Sequence, residues 1–116
     1  PDGWWRDGAA AAERLRDALA PVAEHGLPGL PAPLDVVLVV EGKARRVQSR
    51  PGVAVVAAAG SGDDAIVDVV ASRRPDPVYV VTADRQLRER VRALGARVLG
   101  PKSLLDAPSF GAEPAG

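Results

Sequence analysis

The sequence predicts an α/β domain built on a parallel sheet, and three features indicate it. Short, unbroken runs of β-branched residues, such as 36–40 and 78–82, are typical of strands buried on both faces. Amphipathic stretches with apolar residues at helical spacing separate these runs. The predicted order is helix, strand, strand, helix, strand, helix, strand, helix. This alternation implies parallel strands joined by right-handed crossovers.

Composition narrows the class of protein. The chain has 116 residues, enough for one domain with its own core, and a formal net charge of zero, which gives no global basic field. It has no cysteine, which excludes a disulfide framework, a thiolate metal site and a catalytic thiol. No apolar run reaches membrane-spanning length and no signal-peptide pattern opens the chain, so we expect a cytoplasmic protein without a membrane partner.

The first helix is predicted over residues 7–24, with its apolar residues on one face. Pro21 lies inside this pattern and is expected to kink or split the helix. His25 and Gly26 have the character of a helix end. A proline-containing linker, 27–33, leads to the first strand, 35–40.

Glu41 and Gly42 follow the first strand, and a basic loop with Lys43, Arg45 and Arg46 comes next. The second strand, 53–58, runs into a turn of small residues, Gly60-Ser61-Gly62-Asp63-Asp64. Ser61 followed three residues later by an acid is typical of a capping box. It predicts that the next helix, 62–72, carries both carboxylates in its first turn.

The remaining elements are shorter. A strand is predicted at 78–82, a helix at 84–94 that Gly95 ends, a strand at 97–99 and a final helix through about 106. We therefore expect one domain over 1–106. The rest, 107–116, is rich in Pro, Gly and Ala and is expected to form a flexible tail.

Acidic residues follow three of the predicted strands: Glu41, then Asp63 with Asp64, then Asp84. Ligands bind outside the carboxyl ends of the strands in such sheets. Acids in a helix first turn also serve as caps and complement the helix dipole. Three acidic strand ends favour a Mg²⁺ or Mn²⁺ site and metal-assisted phosphodiester hydrolysis. Neither a Ser-His-Asp arrangement nor a P-loop is supported, because the chain has one histidine and no phosphate-loop motif.

Three segments resemble the NYN-domain proteins of the YacP-like branch, within the PIN-like nuclease superfamily. Residues 60–66, Gly-Ser-Gly-Asp-Asp-Ala-Ile, are similar to its S-x-D-D-x-I segment, and 80–87, Val-Val-Thr-Ala-Asp-Arg-Gln-Leu, to its V-[ST]-x-D-x-x-L segment. Residues 39–42, Val-Val-Glu-Gly, resemble its strand that ends in an acid. The resemblance covers roughly residues 35–106.

The resemblance implies a Rossmann-like, three-layer PIN fold and a divalent-metal endoribonuclease that acts on RNA, in some members on ribosome-associated RNA. Asp63, Asp64 and Asp84 would be metal ligands and catalytic acids, with Glu41 a weaker fourth. Members begin with a strand ending in Asp-Gly-x-Asn, and this chain lacks it. That strand would be central, between 35–40 and 78–82. We therefore expect either a fragment of a longer protein or a copy that has lost one metal ligand, and in both cases a chain that is weak or inactive as a nuclease by itself.

Two alternatives stay open. Glu41-Gly42-Lys43 after a strand also resembles the glutamate motif of Toprim domains, although the Asp-x-Asp that those domains need is absent. The other alternative is a non-catalytic RNA-binding or partner-binding module with the same fold. Candidate RNA-binding residues are Arg45, Arg46, Arg85 and Arg88. The arginines at helical spacing from Arg85 also fit a solvated face.

Overall fold

The computed structural model describes residues 8–113, and these form an α/β fold. Residues 1–7 of the predicted 1–106 domain lie outside the described part. The helices are α1 (Gly8–His25), α2 (Gly62–Arg73), α3 (Arg85–Ala93) and α4 (Pro101–Leu105), with a 3₁₀ helix at Gly42–Arg46. The strands are β1 (Val36–Val40), β2 (Val53–Ala57), β3 (Tyr79–Val81) and β4 (Arg97–Leu99).

The strands form two separate parallel pairs. Strand β1 pairs with β2 from Val36↔Val53 to Val40↔Ala57, and β3 pairs with β4 from Tyr79↔Arg97 to Val81↔Leu99. Within residues 8–113 no ladder joins the two pairs. The predicted α/β class with parallel strands is confirmed. The described residues thus form two separate pairs, and the central strand predicted between 35–40 and 78–82 is the element that would join them.

One core lies between α2, α3 and the β3–β4 pair. Leu87 and Val91 on α3 are 1% and 0% exposed, and they pack with Val70 of α2 and Val80 of β3. The side chains of a strand alternate between faces. Tyr79 and Val81, on either side of Val80, are each 37% exposed. Only one face of this pair is therefore well covered.

A second core lies under α1. Ala9 of α1 packs with Val40 of β1 and with Ala44 and Val47, which belong to the segment after β1. The predicted basic loop is thus a 3₁₀ helix, because its small residue Ala44 is buried against α1 while its charged neighbours stay exposed. This packing fixes the segment that follows Glu41.

Helix α1 runs without interruption through Pro21, so the expectation of a split helix is wrong. Leu19, Val22 and Ala23 around the proline are buried, and their packing compensates for the backbone hydrogen bond that proline cannot donate. The predicted helix ends are confirmed. Gly26 after α1 and Gly95 after α3 have φ values of 80° and 91°, which favour glycine.

Residues 107–113 lie against α1, although the sequence predicts a flexible tail there. Ala107 is buried, Ser109 Oγ donates a hydrogen bond to Gly26 O at 2.6 Å, and Gly111 N donates one to Ala18 O at 2.9 Å. Residues 114–116 lie outside the described part. None of the described helices has the length and hydropathy needed to cross a membrane.

Candidate functional site

The carboxyl ends of β1 and β2 meet at one edge, and Glu41 connects them to α2. Glu41 Oε2 accepts a hydrogen bond from Gly62 N at 2.6 Å. A Cβ at position 62 would lie 2.9 Å from this oxygen, so the glycine leaves room for the carboxylate. The sequence predicts an acid from β1 and the acidic turn after β2 at one edge, and the structure brings these two segments into contact.

Ser61 caps α2, as the sequence predicts. Its side chain accepts hydrogen bonds from Asp63 N at 3.2 Å and Asp64 N at 3.5 Å. The two carboxylates therefore lie in the first turn, near the positive end of the helix dipole. Their partners differ. Asp64 Oδ1 lies 2.9 Å from Arg90 Nη2 of α3, whereas the Asp63 carboxylate has no ion pair or hydrogen bond with residues 8–113.

Asp84 caps α3. Its Oδ1 accepts a hydrogen bond from Leu87 N at 2.8 Å, and its own N–H donates to Thr82 Oγ1 at 3.0 Å. Arg88 Nε donates to Thr82 O at 3.0 Å. These bonds satisfy backbone groups at the junction of β3 and α3. The carboxylate of Asp84 is thus used by its own helix.

The described carboxylates do not by themselves fit a divalent cation. No group of three or more His, Asp or Glu side chains in the described part of the chain is arranged to hold a metal ion. Glu41 accepts from Gly62, Asp64 pairs with Arg90, and Asp84 accepts from Leu87. Each of these contacts uses one oxygen of its carboxylate.

The predicted RNA-binding arginines lie on two different elements. Arg45 and Arg46 end the 3₁₀ helix, both are exposed, and Arg45 Nε donates to Gly42 O at 3.2 Å. Arg85 begins α3 and is exposed, while Arg88 is half-buried and bonded to Thr82. Arg45 and Arg46 follow Glu41 within five residues, and Arg85 and Arg88 follow Asp84 within four.

Sequence reasoning missed an arginine cluster between α1 and the segment that follows the 3₁₀ helix. Asp17 Oδ1 of α1 accepts from Arg16 Nε at 3.0 Å and from Arg50 Nη1 at 2.9 Å. Arg16 Nη1 also donates to Gln48 O at 2.9 Å. The hydrogen bonds from Arg16 and then Arg50 lower the pKa of the Asp17 carboxyl. No local pattern indicated these contacts, because Asp17 and Arg50 are 33 residues apart.

Two curated proteins are similar to this chain. Each is named UPF0178 protein, from Rhodopseudomonas palustris strains BisB5 and HaA2, and each is 42% identical over 88 residues. The match covers 75% of this chain and 48% of each relative, so the chain spans about half the length of the curated relatives it matches. No protein-family model matches the chain, and no solved structure matches it significantly.

Proposed function

We propose that this chain belongs to a metal-dependent endoribonuclease of the NYN, YacP-like type and supplies part of its acidic edge. The observation that carries the proposal is the contact between Glu41 and the first turn of α2, 2.6 Å from Glu41 Oε2 to Gly62 N. It puts an acid that follows β1 next to the segment that carries Asp63 and Asp64. Carboxylates from separate strands at one sheet edge suit phosphodiester chemistry.

The finer fold in this proposal is a Rossmann-like, PIN-like sheet completed by a further strand between β1 and β3. Two observations support it. Strand β1 has a ladder partner only in β2, and β3 only in β4, within residues 8–113. Helix α2 contacts β1 and also packs with α3 over the β3–β4 pair, so one helix contacts both pairs. A parallel strand in this position would join the two pairs into one sheet.

The expected cofactor, Mg²⁺ or Mn²⁺, requires more carboxylate ligands than the described residues bring together. We propose that Asp63, Asp64, Asp84 and Glu41 serve such an ion only together with acidic side chains from the further strand. Asp63 is the first residue to test, because its carboxylate has no described partner. No catalytic step follows from the described residues alone.

The test uses the full-length parent protein and a single-stranded RNA. We expect Asp63→Asn to abolish Mn²⁺-dependent cleavage while it leaves the thermal midpoint nearly unchanged, because the Ser61 cap bonds the backbone rather than this side chain. Asp106→Asn is the matched control. It also removes one carboxylate, but Asp106 is exposed and pairs with Lys102 of α4, whereas Asp63 is half-buried. Equal cleavage by both variants would contradict a role for the acidic edge.

A second candidate is a non-catalytic RNA-binding or partner-binding module. Glu41, Asp64 and Asp84 all serve contacts within the fold, which favours this candidate. Calorimetric titration with Mn²⁺ separates the two. A nuclease should bind the ion, and Asp63→Asn should weaken the binding. A module that binds RNA equally well with and without the ion, and shows no Mn²⁺ heat, would replace the nuclease proposal.

A further inference from the structure

Cationic side chains are carried by the 3₁₀ helix after Glu41, by Arg50 and by Arg16 of α1, and the last two share Asp17 Oδ1. We call this group the basic surface, and its members are Arg16, Lys43, Arg45, Arg46 and Arg50. Two carboxylates, Glu13 and Asp17, lie among them. The chain as a whole has a formal net charge of zero. The excess of positive charge here is therefore local and lies in the segment that follows Glu41.

The 3₁₀ helix presents its cations on a rigid support. Ala44 and Val47 are 9% and 8% exposed and pack against α1, so the backbone between them is anchored. Side chains three residues apart eclipse in a 3₁₀ helix, which puts Lys43 and Arg46 on one side, about 6 Å apart along the axis. Both are exposed, and neither has a hydrogen bond or ion pair with residues 8–113.

Arg46 lines a crevice between the end of the 3₁₀ helix and α1. The crevice has a volume of about 350 Å³ and is lined by Glu13, Arg16, Arg46, Val47 and Gln48. The side chain of Arg16 is only 16% exposed, and its bonds to Asp17 and Gln48 hold the guanidinium in place. Asp17 also holds Arg50. The cations thus continue from the 3₁₀ helix to α1.

We propose that the basic surface binds the phosphate backbone of RNA and leads it to the edge at Glu41; the RNA in this proposal rests on the proposed function. Arg16 and Arg50 are held by Asp17, whereas Lys43 and Arg46 have no described partner, and the planar fork of Arg46 matches phosphate oxygens in a bidentate manner. No Phe, Tyr or Trp occurs in 8–25 or 42–50, so these segments lack the side chains on which bases most often stack. The surface therefore contacts phosphates and does not select a base sequence.

The experiment measures binding without cleavage. Fluorescence anisotropy of a labelled RNA hairpin is recorded with the full chain in EDTA over a series of salt concentrations. We expect Lys43→Ala/Arg46→Ala to weaken binding about tenfold and to reduce the salt slope by about 2, since each lost phosphate contact removes about one released counterion. A hairpin of scrambled sequence should bind equally well.

The control is Arg74→Ala/Arg97→Ala, which removes the same charge at the other end of the strands. Arg74 follows α2 and Arg97 begins β4, and both are exposed. The control should keep the wild-type salt slope within about 0.5. Equal slopes for the two double variants, or no hairpin binding by the wild-type chain, would overturn the proposal. So would competition by polyglutamate as strong as that by RNA, which would indicate an acidic protein partner.

Cleavage data for the parent protein keep this test separate from the proposed function. If hairpin binding depends on Lys43 and Arg46 but no Mn²⁺-dependent cleavage occurs, the nuclease proposal is wrong and the RNA-binding role of the basic surface stands. If Lys43→Ala/Arg46→Ala still cleaves RNA with an unchanged KM, the proposed role of the basic surface is wrong and the nuclease proposal stands. Circular dichroism melts of all variants should coincide, because the four substituted residues are exposed.

Discussion

The β1–β2 pair and the β3–β4 pair are stabilised in different ways. The first pair has five-residue strands, and α1 and the 3₁₀ helix cover it with mostly small side chains, Ala9 and Ala44 among them. The second has three-residue strands, and its core contains larger residues from two helices, with Leu87 and Val91 almost fully buried. Its other face leaves Tyr79 and Val81 exposed. Helix packing therefore stabilises the second pair, whereas strand pairing contributes more to the first.

This contrast predicts the largest effect of substitution in the second core. Leu87→Ala should lower the free energy of unfolding by about 3 kcal/mol, because it removes a side chain that is 1% exposed and leaves a cavity. Val53→Ala in the β1–β2 pair removes one carbon atom fewer from a side chain that is also 1% exposed, and it should cost about 2 kcal/mol. Urea denaturation followed by circular dichroism measures both. Leu105→Ala, at a residue that is 55% exposed, is the control and should change stability by less than about 0.5 kcal/mol.

A smaller effect tests how the β1–β2 pair is tied to α2. Gly60→Ala meets no neighbouring atom and should be neutral or slightly stabilising, because alanine restricts the unfolded chain. Gly62→Ala gains helix propensity but displaces Glu41 Oε2, and this charged acceptor then loses the hydrogen bond that the backbone N–H of residue 62 donates to it. We expect Gly62→Ala to be less stable than Gly60→Ala by about 1 kcal/mol in thermal or urea unfolding.

Gly60→Ala and Gly62→Ala are then each combined with Glu41→Ala, which completes a double-mutant cycle between residue 62 and Glu41. The deficit of Gly62→Ala relative to Gly60→Ala should disappear or reverse there, since the carboxylate that the new Cβ meets has been removed and only the gain in helix propensity remains. A difference that persists without Glu41 would mean that this carboxylate does not link β1 to α2 in solution.

The smallest expected effect concerns Asp17, which ties α1 to the segment after the 3₁₀ helix. Hydrogen bonds from Arg16 and Arg50 lower the pKa of this carboxyl in the folded state. In acid the unfolded chain therefore binds more protons at this group than the folded chain does. The contribution of Asp17 is present above the ordinary aspartate pKa of about 3.9 and is lost as the pH falls through the lower folded value.

Urea unfolding from pH 5 down to pH 2 measures this dependence. Asp17→Asn should show a shallower loss of stability toward low pH than the wild-type chain. Asp68→Asn is the matched control, because Asp68 is an exposed acid on α2 whose side chain has no described partner, and it should keep the wild-type slope. A wild-type slope in Asp17→Asn would show that the two arginines do not hold this carboxylate in solution.

Local chemistry explains what was predictable from the sequence. The strand and helix limits follow from apolar runs and spacing, and Ser61, Gly26 and Gly95 end or begin helices through their own backbone and side-chain preferences. The contact of Glu41 with the turn after β2 follows from two adjacent parallel strands, whose carboxyl ends share an edge.

The features that were missed depend on distant parts of the chain. Asp64 pairs with Arg90 and Asp17 with Arg50, and a sequence with this many arginines gives no local reason to choose either partner. Burial of Ala44 turned the basic loop into a 3₁₀ helix, and that burial depends on α1. Pro21 remained in a helix because of the side chains buried around it. Long-range packing decided each of these outcomes.

The contacts of residues 107–113 with α1 have a kinetic consequence. Ser109 Oγ bonds to Gly26 O across 83 residues, so the last described residues close a loop that contains all four strands. Loop closure over this length carries a larger entropy cost than the local pairing of β1 with β2 or of β3 with β4. We therefore expect the two strand pairs to form early and the segment at Ser109 to dock on α1 late. Because late contacts contribute mainly to slow unfolding, removing the Ser109 hydroxyl should accelerate unfolding and leave the folding rate almost unchanged.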